Sequence, residues 1–561
     1  MNAPAPAARR LRDRPWFAAC VALVLLKLWF VAAQPVVAAG GAGHDDRLFL
    51  NLANKILSLE WLGPYTQLTL AKGPMYSLWI SGTVLVGLPL PLAQHLLYLA
   101  GCVLVIRALR PHLPSERAAC GLFLLLWWNP MTYEMPVLGR VLRQNLYTPE
   151  TLLFFAALFA LESRRTATLR IRTAWGLLLG LSGAALWLTR EESIWIAPSA
   201  ALLIGAAAWL SWRDGGRLKP LLAPLAAATV CAAAVLATIC TLNYRYYGWF
   251  GSVEFRAPAF IRAYGSLQRV QSVSRIPFVP VTGEAREKLY AASPAFAELR
   301  PFLEGRLGEA WAAASESVTH RPRTEREIAG GWFMWALRDA VADAGHAHSA
   351  REALAFYARL ADEVNAACDD GRLPAYPRRD TLVPRWLPEH AGRLAVALPE
   401  AMDYFVTFHG FSAWPPPSNG TPHMLRMFSD LTRWPLASSK EAPELDRRRQ
   451  GDIDGWRIAP LQLVGRAYRW IGFIVGYGGL AAWGWLAGRA VRTRRLDYGL
   501  VAATAALGGA AAVVLINTLV DVMSFPNRSP GAFAQAYPLL LLFGGLAWIG
   551  LLDSRRRPAV S

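Results

Sequence analysis

Runs of apolar residues recur along most of the chain and are separated by short polar turns. A helix needs about 20 mainly apolar residues to cross the hydrocarbon core of a bilayer. Segments that meet or approach that length lie at residues 16–36, 92–109, 118–131, 151–161, 174–188, 194–210, 221–242, 461–487, 498–520 and 532–552. The pattern predicts a mainly α protein, a polytopic membrane helical bundle of about ten spans. Residues 74–88 are also apolar, but Pro89 and Pro91 cut them off from the next run. They read as a juxtamembrane helix lying along the interface.

One stretch breaks the alternation. Residues 244–460 are polar, long enough for a domain, and patterned as helices. Ser293 before Pro294 has the form of an N-cap followed by proline at the first helical position. Thr324 with Glu327, and Ser349 with Glu352, have capping-box spacing. Ala353, Leu354, Tyr357, Leu360, Ala361 and Val364 then recur at helical spacing up to Gly371, so this face packs on something. The expected division is a membrane module at 1–243, a mainly helical domain at 244–460 and C-terminal membrane helices at 461–561.

Composition agrees: 54% of residues are hydrophobic and 17% charged, against roughly a quarter charged in soluble chains. A disordered chain is excluded. The formal charge of +18 would suggest a nucleic-acid partner in a soluble protein, but most of it lies in short basic segments. These hold Arg9, Arg10, Arg12 and Arg14; Arg107, Arg110 and Arg117; Arg164, Arg165, Arg170 and Arg172; Arg213, Arg217 and Lys219; Arg489, Arg492, Arg494 and Arg495; and Arg555, Arg556 and Arg557. With residues 74–88 kept out of the bilayer, all six fall on one side, as the positive-inside rule requires of the cytoplasmic face. The expectation is a multi-pass protein of the inner (plasma) membrane with both termini cytoplasmic, residues 244–460 extracytoplasmic, and no nucleic-acid partner. The six cysteines show neither a disulfide framework nor a CxxC metal motif.

The chemistry is then sought in the outward segments. The first carries His44, Asp45 and Asp46 directly after a span, then Tyr65, then Lys72 at the entrance to the juxtamembrane helix. For Asp46 an N-cap explains the residue well. A carboxylate held at the lipid–water boundary can also serve as a general base, since partial desolvation raises its pKa. Lys72 lies where a lipid phosphate would lie, although a lysine there can equally snorkel. Arg140, Arg143 and Arg190 put positive charge on the face that topology otherwise depletes of it. Two explanations stand open for them: an anionic head group, or ion pairs with Glu134, Glu150, Glu191 or Glu192. Lys27 sits inside the first span with no partner apparent from the sequence, and the histidines of the insertion are scattered singly.

In order and sidedness these features resemble the GT-C superfamily of integral-membrane glycosyltransferases, in particular the family 39-like branch of protein O-mannosyltransferases and aminoarabinose transferases. His44-Asp45-Asp46-Arg47 resembles the acidic pair that follows the first span of that branch. Lys72-Gly73-Pro74 resembles its Lys/His-Pro-Pro motif, with Gly73 departing from the usual proline. Thr189-Arg190-Glu191-Glu192-Ser193 resembles the Arg- and acid-bearing motif at the outer end of a later span. The resemblance covers roughly the first 245 residues and not the insertion.

What the resemblance implies is an enzyme that transfers a hexosyl or pentosyl group from a polyprenyl-phosphate sugar donor to a hydroxyl of a glycan, lipid or protein acceptor, with inversion. Catalysis falls to Asp45, as base, and Asp46. Binding of the lipid phosphate falls to Lys72, Arg140, Arg143 and Arg190, with His44, Tyr65, Glu191 and Glu192 as further substrate contacts. No cofactor is required, although Asp45 and Asp46 leave room for a divalent cation. An O-antigen polymerase or ligase is a rival that would not need an acidic pair after the first span. A lipid or solute transporter is another, without the repeated halves such proteins often carry.

Overall fold

The computed structural model describes residues 6–214, 218–273, 275–320, 326–445 and 455–556. Thr324, Arg217 and Arg557, named above, lie outside these residues. So do the side chains of Arg9, Arg10, Arg12, Arg14 and Arg556. Among the described residues the regular elements are helices joined by turns and irregular segments, and the extended pairings are isolated bridges rather than sheets.

Among them seven helices are long and apolar enough to cross a membrane: Leu90–His112, Leu169–Thr189, Ser193–Arg213, Lys219–Tyr247, Gly455–Thr493, Tyr498–Met523 and Tyr537–Arg555. Shorter apolar helices lie at Pro15–Val31 and Met75–Leu85. The count falls below the expected ten for physical reasons. The run at 118–131 folds as Glu116–Trp127, twelve residues, or about 18 Å at 1.5 Å per residue. The run at 151–161 belongs to Gln144–Ser163, which carries Glu150 and Glu162 and is buried along most of its length. It is the central post of the bundle, packed between Leu90–Leu109 and Leu169–Thr189. At 11 residues, Met75–Leu85 is far too short to span.

Small residues let the helices approach closely. A Cβ on Gly176 or Gly180 would lie 2.2 or 2.3 Å from the carbonyl oxygens of Pro224 and Ala228 on Lys219–Tyr247. The intramembrane Lys27 has partners after all. Its Nζ donates to the Trp127 carbonyl at 2.5 Å and to Thr132 Oγ1 at 2.7 Å, and it lies over the rings of Trp127, Tyr133 and Tyr98. This fully buried charge fastens the first helix to the start of the second polar segment.

The insertion packs in two ways. Helices from Pro258–Leu267 to Ala350–Asp369 close around their own core, in which Phe260, Leu337, Tyr357 and Leu360 are buried. Ser293 Oγ accepts from Phe296 N at 3.1 Å, and Ser349 Oγ from Glu352 N at 3.2 Å, so both expected caps form. Glu352 reaches back one residue further than a capping box requires, to His348 N. Glu327 instead accepts from Gly283 N and pairs with Arg286. The later helices do not join this core: Pro388–Val406 packs against Tyr498–Met523, and Pro422–Thr432 against Asp46–Leu57 and Met75–Leu85.

A buried strut ties the first core to the membrane module. Arg338 pairs with Glu254 at 2.5 Å, both with almost no exposed surface, and donates to the Gln67 carbonyl. Glu254 also accepts from the Tyr65 hydroxyl at 2.7 Å. Its own N–H donates to the Leu70 carbonyl at 2.9 Å, two residues before Lys72.

Candidate functional site

The site is assembled by three chain segments that meet at one end of the bundle. The first holds Gly43, His44 and Asp45 in the turn before Asp46–Leu57. The second is Ala71-Lys72-Gly73, whose position Gly73 fixes: a Cβ there would sit 1.7 Å from the Leu188 carbonyl oxygen. The departure from proline noted in the sequence thus brings Lys72 against the third segment, the turn Arg190-Glu191-Glu192 after Leu169–Thr189. Arg256 of the insertion clamps that turn by donating to the carbonyls of Trp187 and Arg190 at 3.1 and 2.9 Å.

These segments line a cavity of about 690 Å³. One wall carries His44, Asp45, Lys72, Arg143, Arg190, Glu191 and Glu192. A second wall is mainly apolar and comes from a membrane-length helix, through Val513, Ile516 and Val520, with Asn517 among them. The insertion contributes chiefly Phe255, Trp311, Trp332 and Trp335, and Trp195 and Phe525 of the membrane module add further aromatic surface.

On the polar wall Lys72 is buried and in direct ion contact with Asp45, whose carboxylate stays half-exposed. Burial pushes the Asp45 carboxyl up, but Lys72, with Arg143 and Arg140 further off, pulls it down to about 2. Burial lowers the Lys72 ammonium against the opposing pull of Asp45. Lys72 also lies within 6 Å of the Phe49 and Trp335 rings. Arg143 pairs with Glu191 at 2.7 Å and Arg190 with Glu192 at 3.1 Å. Burial raises the Glu192 carboxyl, but Arg190 and then Arg143 pull it below its usual range. The ion-pair explanation therefore holds for both arginines at rest, and their pairs still face the cavity.

Four expectations are placed elsewhere. Asp46 is not an N-cap: Asp45 occupies that position, without a side-chain cap bond, and Asp46 is the first helical residue. Asp46 is fully buried and bidentate to Arg140, at 3.2 and 2.5 Å. Neither Asp46 nor Arg140 lines the cavity. Burial raises the Asp46 carboxyl despite that partner. Tyr65 is spent on Glu254 and is also off the cavity wall. Glu134 and Glu150 pair with none of the arginines. Glu134 accepts from the N–H groups of Val137 and Leu138, and Glu150 from Thr189 Oγ1. At rest Asp45 contacts Lys72 and Asp46 contacts Arg140. Among the described residues no group of three or more His, Cys, Asp or Glu gathers where it could hold a metal ion.

The insertion's contribution was not visible in the sequence. His44 lies edge-on to both Trp311 and Trp335, 4.9 Å from each ring, with Asp339 behind it. The available signal was Trp332 and Trp335, three apart at the start of a helix behind Gly330-Gly331, which places both indoles on one face.

No family model and no curated protein matches the chain. Among solved structures it is similar to two of ArnT from Cupriavidus metallidurans. The one bound to undecaprenyl phosphate is 16% identical, with 90% of this chain and 78% of that one covered and a TM-score of 0.33. The apo one is 13% identical, with 96% and 78% covered and a TM-score of 0.33.

Proposed function

We propose that the protein is a membrane glycosyltransferase that moves a sugar from a polyprenyl-phosphate donor to an acceptor hydroxyl at the outer face of the membrane, with inversion. The observation that carries this reading is the composition of the cavity: Lys72, Arg143 and Arg190 at one wall, and the apolar face of Tyr498–Met523 at another. A lipid phosphate has both requirements, and the indoles of the insertion offer flat apolar faces to a sugar ring.

In this reading the donor phosphate displaces carboxylate partners from Lys72 and the arginines. Their positive charges, already positioned and largely out of water, stabilise the negative charge that grows on the phosphate as its bond to the anomeric carbon breaks. Drawing Lys72 towards the phosphate releases Asp45, whose carboxylate regains basicity when donor is in place and accepts the proton of the attacking hydroxyl. The sidedness follows from the basic turns.

The test is to purify the protein in mild detergent, identify co-purifying lipids by mass spectrometry, and assay transfer from synthetic polyprenyl-phosphate sugars. A bound polyprenyl phosphate and sugar-dependent transfer are expected. Neither lipid nor transfer, with solute uptake in proteoliposomes, replaces this reading with the transporter.

A further inference from the structure

We propose that His44 is the terminal proton acceptor of the transfer reaction and that Asp339, from the insertion, is the residue that positions it. This deepens the transferase reading and rests on it. His44 stands next to Asp45 in the chain and shares its cavity wall. Its Nε2 faces Asp339 Oδ2 at 4.0 Å, and that same oxygen accepts from Trp311 Nε1 at 2.9 Å. Asp339 is nearly buried, His44 about one-third exposed, and the two indole edges hold the imidazole plane. A carboxylate behind one imidazole nitrogen fixes its proton there and leaves the other nitrogen as a lone pair. At 4.0 Å Asp339 acts on His44 through its charge rather than a direct hydrogen bond, and the resting proton is assigned to Nε2, on the Asp339 side, and the lone pair to Nδ1.

The acceptor O–H bond breaks as the oxygen bonds to the anomeric carbon, and the electron pair of the departing C–O bond goes to the lipid phosphate. Asp45 takes the proton and passes it to His44 Nδ1, because an imidazole is the stronger base. The imidazolium so formed faces the Asp339 carboxylate and is exposed enough to lose its proton to solvent. Asp45 is thereby ionised again and ready to re-pair with Lys72 when the lipid phosphate leaves. The charged groups that face His44 are Asp339 and Asp45, which favour its protonation, and Lys72 and Arg47, which oppose it. Burial keeps it neutral at rest.

The experiment measures release of undecaprenyl phosphate from synthetic undecaprenyl-phosphate glucose, mannose and arabinose, with a cell-envelope extract as acceptor. Wild type, His44→Ala, His44→Gln and Asp339→Asn are compared. The expected result is a loss of about 10²-fold or more for both His44 variants, partial recovery of His44→Ala with added imidazole, and unchanged binding of undecaprenyl phosphate. Asp339→Asn keeps the Trp311 contact but removes the charge that favours protonated His44. Its acid limb should move to lower pH, a change that a merely structural role does not cause. Wild-type rates in His44→Gln, or lost activity with no imidazole recovery and an unmoved Asp339→Asn profile, overturn this proposal alone. Absence of transfer by the wild type overturns the transferase reading and this proposal with it.

Discussion

Asp45 and Asp46 are adjacent in sequence, and each meets one cation, yet the two pairs occupy different physical settings. Asp46 and Arg140 close a bidentate pair beneath the first loop, with Asp46 sealed from solvent and the cavity elsewhere. Asp45 and Lys72 meet on the cavity wall, where the carboxylate is half-open. Asp46, with no exposed surface, has no route to another partner and holds the loop through Arg140, whose side chain is 27% exposed and lines a separate cavity. A pair at a cavity wall can exchange partners when an anion enters. One position along the start of a helix turns the side chain by about 100°, enough to separate a structural carboxylate from one available for chemistry.

The sharpest way to break this comparison is Asp45→Asn. Sugar transfer should fall by about 10²- to 10⁴-fold, with lipid binding retained and a smaller stability loss than that of Arg140→Ala. Full activity would remove Asp45 from the chemistry. Arg140→Ala should act the other way, leaving Asp46 buried without its partner at a cost of about 3–5 kcal/mol, read from thermal unfolding. If the two variants lose equal stability, the division between the pairs is wrong.

Gly73→Ala comes next. Its Cβ cannot be accommodated against the Leu188 backbone without movement, and overpacking of this kind costs about 1–3 kcal/mol. Because the shift carries Lys72 with it, apparent donor affinity should weaken together with stability. Normal donor affinity in a folded Gly73→Ala would show that Lys72 does not need this register.

The last effect is seen only on titration and concerns Glu134, a third acid, which pairs with no cation among the described residues. Burial raises its carboxyl to about 7 against the pull of the Leu138 and Val137 N–H groups. A carboxyl whose folded pKa lies above its unfolded value gives its full stability below the unfolded value and loses it as pH rises through the folded one. Melting temperature should therefore decline between about pH 4.5 and 7. Glu134→Gln should flatten that decline, and an unchanged slope would assign the titration to another group.

How much of this was legible in the sequence depended on what kind of fact was asked for. Long apolar helices and the caps at Ser293 and Ser349 are local and were readable, because periodicity and capping residues act within one or two turns. The run read at 151–161 lies within the longer helix Gln144–Ser163, whose first turns carry Pro149 and Glu150 and so lack the apolar pattern that marks the rest. Asp45 and Lys72 were singled out together, but the sequence assigned Asp46 to a cap and left Arg140 facing a ligand. Their mutual bond spans 94 positions and has no local signature. Trp311, Trp335 and Asp339 lie 267 to 295 positions from His44, and only the spacing of Trp332 and Trp335 marks that part of the chain.

Lys27 has a consequence for how the protein is made. A lysine at the centre of a membrane helix costs roughly 2.5–3.5 kcal/mol to insert. Lys27 lies nearer the end of Pro15–Val31, where that figure is an upper bound, and its principal partner, the Trp127 carbonyl, lies 100 residues downstream. At about 5–20 residues per second of synthesis, the ribosome needs several seconds to deliver that carbonyl. During that interval the first helix sits in the translocon with an unanswered charge. Its commitment to the bilayer is therefore coupled to the arrival of Glu116–Trp127, so the amino-terminal helix, first to be synthesised, is not the first to be secured.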